Sequence, residues 1–297
     1  MAEPEHAVRT TAAVAGTGTE PAEASAVDAP VEEPARGSFR RRMARHRTKW
    51  VGAGSIVLGL VIWEVGARLI FNPLFLPPLT GIIGRFWELL QDGSLWTNIA
   101  ASGQAYLLGL VLAIVGGVVC GVAMAASRTV QALLDPWVAV FNSTPTIALA
   151  PLFIVIFGLG IQSKIAICAL VMLFPILVNT FTGFATTDRQ LVEAVRAFGA
   201  SWWQIYTKVK LPMAVPYLVA GLRLSAAHGL VGIVVSELFG ARAGIGLMIR
   251  NAAETFDSRA LFVGIILLGA AGVAISYAVM AVERRVTRWR FTQDEEQ

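Results

Sequence analysis

Long runs of residues without a single charge are the main feature of this chain. The four longest, at 93–127, 136–163, 165–187 and 260–282, contain 35, 28, 23 and 23 residues. An apolar helix needs about 20 residues to cross the hydrocarbon core of a bilayer. A large soluble core would instead disperse its apolar residues at helix or strand period. The pattern therefore predicts several transmembrane helices.

Placing helices on these runs predicts an all-α integral membrane protein with six transmembrane helices. The predicted spans are 50–71, 99–126, 137–157, 165–184, 213–236 and 261–282. The segments between and around them are a disordered acidic tail at 1–35, a basic cytoplasmic juxtamembrane segment at 36–49, an extracytoplasmic segment at 72–98 and a cytoplasmic C-terminal tail at 284–297. Residues 99–283 form the predicted core, which includes a long cytoplasmic loop at 186–212.

The composition agrees with this assignment. The chain is 56% hydrophobic and 15% charged, with a mean hydropathy of +0.65, whereas average chains are about 45–50% apolar and 25% charged. Cys120 and Cys168 both lie inside apolar runs, so neither a disulfide framework nor a metal site is predicted. The composition excludes a soluble enzyme, a disulfide scaffold, a disordered chain and a nucleic-acid binder as the main interpretation.

The distribution of charge predicts the topology. The net charge of +4 combines −6 over residues 1–35 with +10 over the remainder, and seven basic residues at 36–49 precede the first span. Such a cluster favours a cytoplasmic N-terminus. Six spans then place both termini inside, with 16 basic residues on the inside and 5 outside. The predicted outside residues are Arg85, Lys164, Arg242, Arg250 and Arg259.

Two packing features are visible within the spans. Glu64 and Arg68 are four residues apart in the first span, so they share a helix face and are predicted to form a structural pair near the outer interface. Small residues recur at every fourth position of the second span: Gly109, Ala113, Gly117, Gly121 and Ala125. Such a stripe allows another helix to approach closely.

The loop at 186–212 is patterned as helix, glycine turn, helix. Asp188 is a predicted N-cap, Gly199 suits the C′ position, and Ser201 with Gln204 forms a capping box. Apolar residues after Asp188 fall on one helix face, and Leu211-Pro212 is predicted to close the unit. Two short amphipathic helices either dock into a partner or lie on lipid headgroups.

This loop resembles the EAA loop of ABC importer permeases, which has the pattern E-A-A-x3-G-x9-I-x-L-P. Glu193-Ala194-Val195, Gly199, Val209 and Leu211-Pro212 match its spacing, with Val195 and Val209 as the departures. The resemblance covers about residues 80–290 and extends to Ser143–Pro151, Phe174–Thr180, Gly221-Leu222-Arg223, Ser236-Glu237 and Gly244-Ile245-Gly246. Together these are similar to the nitrate, taurine and aliphatic-sulfonate branch.

The resemblance implies a type I (MetI-like) permease subunit of the bacterial inner membrane, which is not an enzyme. It implies a second permease copy in a homodimer, an ATPase subunit dimer that carries ATP and Mg²⁺, and an extracytoplasmic solute-binding protein. No cofactor is expected on this chain, whose sequence has no G-x4-G-K-[ST] phosphate loop. The implied solute is small and anionic. The implied coupling residues are Glu193, Ala194, Gly199, Ala200, Leu211 and Pro212.

Polar residues inside apolar spans are the candidates for the translocation pathway. They are Asn142, Ser143, Thr144, Thr146, Asn179, His228 and Glu237. Helix–helix hydrogen bonding is an equally good explanation for several of them. Arg223 is costly to bury, so we expect it to find a carboxylate, carbonyl groups or water and to act structurally.

Two other classes of protein remain as alternatives. An autonomous secondary transporter or channel would explain the spans but gives the EAA-like loop no role. A membrane-embedded enzyme would need a catalytic constellation, and the sequence has no G-x-S-x-G or H-E-x-x-H motif.

Overall fold

The computed structural model describes residues 37–286, and it is helical apart from short connections. The helices are α1 (Gly37–Leu69), α2 (Leu79–Gln91), α3 (Ser94–Ala126), α4 (Arg128–Ser143), α5 (Ala150–Phe157), α6 (Ile161–Ala185), α7 (Arg189–Ala197), α8 (Trp202–Ile205), α9 (Leu211–Gly240), α10 (Ile245–Glu254) and α11 (Ser258–Val286). Contacts divide the chain after Ser55, and the described residues from Ile56 onward form a helical bundle. The predicted tail at 1–35 lies outside the described residues. Of the tail predicted at 284–297, only residues 284–286 are described.

The centre of the bundle is a close parallel pair, α3 and α6. A Cβ atom on Gly117 would lie 2.8 Å from Cγ2 of Ile176, and one on Gly121 would lie 2.7 Å from Cβ of Thr180. The predicted small-residue stripe is thus the contact surface, since Gly109, Ala113, Gly117 and Gly121 are all buried. Small residues let the two backbones approach to distances that larger side chains prevent.

Helix α9 packs against a neighbouring face of α6 in the antiparallel direction. Gly221 faces Asn179, Gly183 faces Tyr217, and the Ser225 hydroxyl donates a hydrogen bond to the Met172 carbonyl at 2.7 Å. Tyr106 of α3 also reaches α9, because its hydroxyl donates to the Ala226 carbonyl at 2.9 Å. These bonds give buried hydroxyl groups a partner on a neighbouring helix. Hydrogen bonding between helices therefore accounts for these polar residues within the spans.

The parallel arrangement of α3 and α6 fixes the path of the chain between them. Because α3 ends at the opposite end of the bundle from the start of α6, residues 127–160 must return along its length. The segment predicted as one helix at 137–157 is instead α4, a 3₁₀ turn at Thr146–Leu149 and α5. Laid end to end these pieces rise roughly 40 Å, enough to recross a bilayer core of about 30 Å.

The break in this segment has a local cause. Pro145 follows Thr144, whose backbone is extended at the end of α4, and a residue before proline is disfavoured in the helical region. The Thr144 backbone N–H and hydroxyl both donate to the Val140 carbonyl, at 3.0 and 2.7 Å, and so close the last turn of α4. The prediction of a continuous third span was therefore wrong.

Among the described residues, four helical segments are long and apolar enough to cross a membrane. They are Ser94–Ala126, Ile161–Ala185, Trp202–Gly240 and Ser258–Val286. They contain the second, fourth, fifth and sixth predicted spans, whose ends they extend by several residues. The first predicted span, at 50–71, coincides with the second half of α1 and stays a prediction as a membrane crossing.

Two amphipathic helices, α2 and α10, were not predicted. Glu64 holds the start of α2, because its carboxylate accepts hydrogen bonds from the backbone N–H of Leu79 at 2.6 Å and pairs with Arg68 at 2.6 Å. The predicted Glu64–Arg68 pair is therefore present and also joins α1 to α2. Farther along α2, hydrogen bonding to Glu88 and the charge of Asp257 raise the pKa of Arg85.

The contact between α3 and α6 generates a stability prediction. We expect Gly117→Ala to lower the free energy of unfolding by roughly 1–3 kcal/mol, the usual cost of overpacking. Gly103→Ala on the same helix is the matched control, since its Cβ would meet nothing within 4 Å. Thermal unfolding of the two purified variants in detergent measures the difference. Equal unfolding temperatures would show that the stripe is not a close contact.

Candidate functional site

The segment from Asp188 to Pro212 builds a compact projection at one end of the bundle. The Asp188 carboxylate caps α7 by accepting a hydrogen bond from the backbone N–H of Gln190 at 2.8 Å. The Ser201 hydroxyl accepts from the Gln204 N–H at 3.3 Å, and the Gln204 side chain accepts from the Ser201 N–H at 2.8 Å. Both predicted caps are present, and they define the starts of α7 and α8.

Gly199 forms the turn between these two helices. Its φ of +84° lies in the left-handed region, where residues with a Cβ atom are disfavoured. Its N–H donates to the Arg196 carbonyl at 2.9 Å, and the Ala200 N–H donates to the Val195 carbonyl at 3.3 Å. The turn thereby satisfies carbonyl groups at the end of α7, as glycine-terminated helices commonly do.

The second half of the projection differs from the prediction. Leu211-Pro212 does not close the unit, because α8 runs through a π-helical turn at Tyr206–Lys210 directly into α9. The wide turn has a physical reason in Pro212, which donates no backbone hydrogen bond and whose ring needs space near the carbonyl four residues earlier. The α8 half of the projection is therefore a continuous extension of α9.

The two helices of the projection are anchored differently. In α8, Ile205 is buried, and the Tyr206 ring stacks on Trp202 at 4.4 Å and on Phe184 of α6 at 6.2 Å between centroids. In α7 no residue is buried, and the Phe198 side chain that follows it is 92% exposed. The structure thus fixes α8 to the bundle while α7 presents its amphipathic surface outward.

A second polar feature lies at the opposite end of the bundle, and we call it the Glu237 cluster. It consists of Ser102, Lys164, Glu237 and the backbone of residues 243–246. The Glu237 carboxylate is fully buried and accepts hydrogen bonds from Lys164 Nζ at 3.1 Å, Ser102 Oγ at 2.8 Å and the Gly246 N–H at 2.9 Å. Four helices, α3, α6, α9 and α10, therefore meet at one carboxylate.

The cluster also holds the loop that precedes α10. Lys164 Nζ donates to the Ala243 carbonyl at 2.9 Å, and the Gly244 N–H donates to Oδ1 of Asn98 at 2.8 Å. Gly244 has a φ of +143°, and any Cβ at this position would overlap the Glu237 carboxylate. A carboxylate at the start of a helix is favourable, because the N-terminal N–H groups carry partial positive charge.

The Glu237 cluster corrects one prediction. Lys164 is not a loop residue, since it lies inside α6 and is 4% exposed. Glu237 is held in an ion pair with Lys164, and its role in the pathway stays a prediction. The sequence does indicate that Lys164 is unusual, because it is the lone charge between uncharged runs of 28 and 23 residues.

The remaining pathway candidates do not converge on one site within this chain. Asn179 donates to the Pro175 carbonyl at 2.8 Å, and His228 Nδ1 lies 2.8 Å from the Leu224 carbonyl, so both contact their own helices. His228 lies about 13 Å from Glu237 along the axis of α9. The other four candidates surround the break after α4: Asn142, Ser143, Thr144 and Thr146.

Arg223 has the carboxylate partner that the sequence predicts. It forms an ion pair with Glu283, which joins α9 to α11 at the end of the bundle that carries α7. Because both side chains are more than a third exposed, this pair contributes little to stability. The pair therefore connects two long helices, α9 and α11.

Comparison with known proteins identifies the family. The sequence family described as binding-protein-dependent transport system inner membrane component matches residues 113–288. The chain belongs to this family. As a binding-protein-dependent permease it is a transport subunit and not an enzyme, and its membrane helices are those of an inner-membrane component.

Several curated permeases are similar over most of their length. A Bacillus subtilis protein assigned to aliphatic sulfonate transport, SsuC, is 33% identical over 85% of this chain and 92% of its own. The taurine transport permease protein TauC of Escherichia coli is 30% identical over 86% and 94%. The riboflavin transport permease protein RibX of Chloroflexus aurantiacus is 34% identical over 82% and 92%.

A solved structure shows the same fold. The MetNI methionine ABC transporter in an inward-facing conformation contains a chain that matches with a TM-score of 0.54 at 24% identity, over 65% of this chain and 96% of that one. The type I permease architecture predicted from the sequence is therefore confirmed, together with its placement in the sulfonate and taurine branch.

The buried pair of this permease generates a second stability prediction. We expect Lys164→Met to lower the free energy of unfolding by about 3–5 kcal/mol, because it leaves the Glu237 carboxylate buried without its cation. The double variant Lys164→Met/Glu237→Gln removes both charges and should recover a large part of that loss.

A double-mutant cycle in thermal unfolding measures the coupling between the two sites. Arg223→Met is a matched control, since Arg223 and its partner Glu283 are both more than a third exposed and the expected loss is small. Strictly additive effects of the two single changes would contradict the assignment of Lys164 and Glu237 as a coupled pair.

Proposed function

We propose that this permease forms the translocation pathway of an ATP-driven importer and is coupled to a separate ATPase through the projection at 188–212. The observation that supports this is the exposed helix α7, capped at both ends and carried by a rigid extension of α9. A coupling element must transmit motion without bending, and the two caps together with Gly199 provide that rigidity.

The proposal assigns roles to the residues of the EAA-like loop. Glu193 and Ala194 lie on the exposed helix, where Glu193 is available to pair with a basic group of the ATPase. Gly199 and Ala200 shape the turn, and Leu211-Pro212 begins the long helix that carries motion toward the membrane. ATP and Mg²⁺ bind on the ATPase subunits, and this chain supplies no nucleotide site.

The assembly we propose contains two copies of this chain, an ATPase dimer and an extracytoplasmic solute-binding protein. Basic residues favour the α7 end on the cytoplasmic side, with both termini there. The opposite end, which carries the Glu237 cluster, then faces the solute-binding protein. Two facing copies would enclose the pathway between them, which explains why the candidate residues do not converge within one chain.

We propose that the transported solute is small and carries an anionic group, with nitrate, sulfonates and taurine as the candidates. The support comes from relatives whose names specify sulfonate and taurine transport. A riboflavin permease of similar identity indicates that the subunit type accommodates other solutes. The proposed pathway residues remain Asn142, Ser143, Thr144, Thr146, Asn179, His228 and Glu237.

The coupling role generates a prediction at Gly199. We expect Gly199→Glu to reduce ATP-dependent uptake at least tenfold while the chain still inserts, because a Cβ at φ +84° strains the turn by about 1–3 kcal/mol. Gly93→Glu is the matched control: Gly93 has a φ of +76° and equally open surroundings, but it lies at the opposite end of the bundle.

Uptake into proteoliposomes that contain the permease, the ATPase and the binding protein measures this effect. Copurification of the ATPase with each variant reports docking. Normal uptake by Gly199→Glu with the ATPase still bound would contradict the coupling role, whereas equal losses in both glycine variants would indicate a general effect of the substitution.

A second prediction separates this function from an autonomous carrier. Proteoliposomes with this chain alone should show no uptake of labelled taurine, and addition of ATPase, binding protein and internal ATP should produce it. An ATPase variant unable to hydrolyse ATP is the control. Comparable uptake by the chain alone would favour the secondary-transporter alternative, and ATP hydrolysis stimulated by other solutes but not taurine would contradict only the substrate.

A further inference from the structure

A cleft at the α7 end of the bundle carries more positive charge than the described residues neutralise. We call it the basic cleft, and it has a volume of about 540 Å³ between the ends of α3 and α6, the start of α4, and α7. Arg128, Arg189, Arg196 and Lys210 line it, and among the described residues Glu193 is the only acidic one in its lining. The cleft therefore has a formal charge of +3.

The basic side chains of the cleft lack carboxylate partners. Of the ion pairs formed by the described residues, none involves Arg128, Arg189, Arg196 or Lys210. Lys210 instead lies 4.7 Å from the centroid of the Tyr206 ring. Like charges gathered around a concave surface repel one another, and a bound anion would relieve that repulsion.

A second, independent observation lies in the same cleft. Thr187 lines it and is 7% exposed, and its hydroxyl has no hydrogen-bond partner among the described residues. Buried hydroxyl groups almost always have a partner, and an exception calls for a missing ligand or water. A hydroxyl donor among several cations matches the chemistry of an oxyanion site.

The inner wall of the cleft is apolar. Met124, Phe181 and Phe184 line it near the ends of α3 and α6. A surface that combines aromatic and aliphatic side chains with a rim of arginines suits a phosphate group that is attached to an apolar chain. Basic pockets between helix ends are a recognised way to bind the headgroups of anionic lipids.

We propose that the basic cleft binds a phosphate group, held by Arg128, Arg196 and the Thr187 hydroxyl. The phosphate belongs either to the headgroup of an anionic lipid or to a soluble phosphate ester. Because the cleft adjoins α7, an occupied site would fix this helix relative to α3 and α6. The proposal concerns binding by this chain and holds whether or not α7 docks an ATPase.

The test measures phosphatidylglycerol retained by the full-length chain in detergent, using native mass spectrometry. We expect Arg128→Gln/Arg196→Gln to weaken this binding at least tenfold, since each charge-assisted hydrogen bond contributes substantially to affinity. The matched control is Arg284→Gln/Arg285→Gln, which removes the same charge from exposed positions at the end of α11 outside the cleft. Equal binding by the cleft variant, or equal weakening by the control, would overturn the proposal.

Thr187→Val should weaken lipid binding without lowering the unfolding temperature. The change replaces the unpartnered hydroxyl with a methyl group of the same shape, so the lipid-free chain should unfold at the same or a higher temperature. Binding of phosphatidylglycerol should fall severalfold, because the hydroxyl donor is lost. Unchanged lipid binding by Thr187→Val would remove this residue from the site and contradict the proposal.

Competition identifies the source of the phosphate. If millimolar inorganic phosphate or glycerol phosphate displaces the lipid, and this displacement is lost in the cleft variant, the site binds a soluble ester. Retention of the lipid under the same conditions would assign a lipid headgroup. Failure of the unmodified chain to retain either probe would overturn the proposal without bearing on transport or on coupling.

Discussion

The buried ion pair between Lys164 and Glu237 is the constraint on which the described bundle depends. Either charge alone in an apolar interior would cost several kcal/mol, so the two must be buried together. The pair is satisfied only when Ser102 of α3, the backbone before α10 and the Gly246 N–H are also in place. Four helices therefore share one condition for stability, and it adds a polar connection to the apolar contacts that Ile245, Met248 and Ala252 of α10 make with neighbouring helices.

The small-residue contact between α3 and α6 has a consequence for topology. Two parallel helices that touch along their length force the chain between them to run back past both. Packing thus requires the chain to return along the bundle between α3 and α6, even though Thr144-Pro145 prevents this segment from being one helix. A hydropathy argument finds the apolar residues of this segment, whereas the helix pairing explains why they must recross the bundle.

The sequence predicted the features that depend on local chemistry. The caps at Asp188 and Ser201, the turn at Gly199 and the stripe around Gly117 follow from residue type and spacing, and all four are present. It did not predict α2 and α10, whose apolar faces are too short to stand out beside the spans. Nor did it pair Lys164 with Glu237, which are 73 residues apart. Long-range pairing of two isolated charges depends on the fold, and composition carries no trace of it.

The two ends of the bundle differ in whether their charged groups are paired. At the α10 end, each charge of the Glu237 cluster is neutralised within the chain, and the helices there are bound to one another. At the α7 end, the basic cleft and the exposed surface of α7 leave charge and apolar area without partners among residues 37–286. A subunit that must hold its fold while it responds to other molecules needs both conditions. The end with neutralised charge supplies a fixed frame, and the end with unpaired groups can change its contacts without disturbing the buried pair.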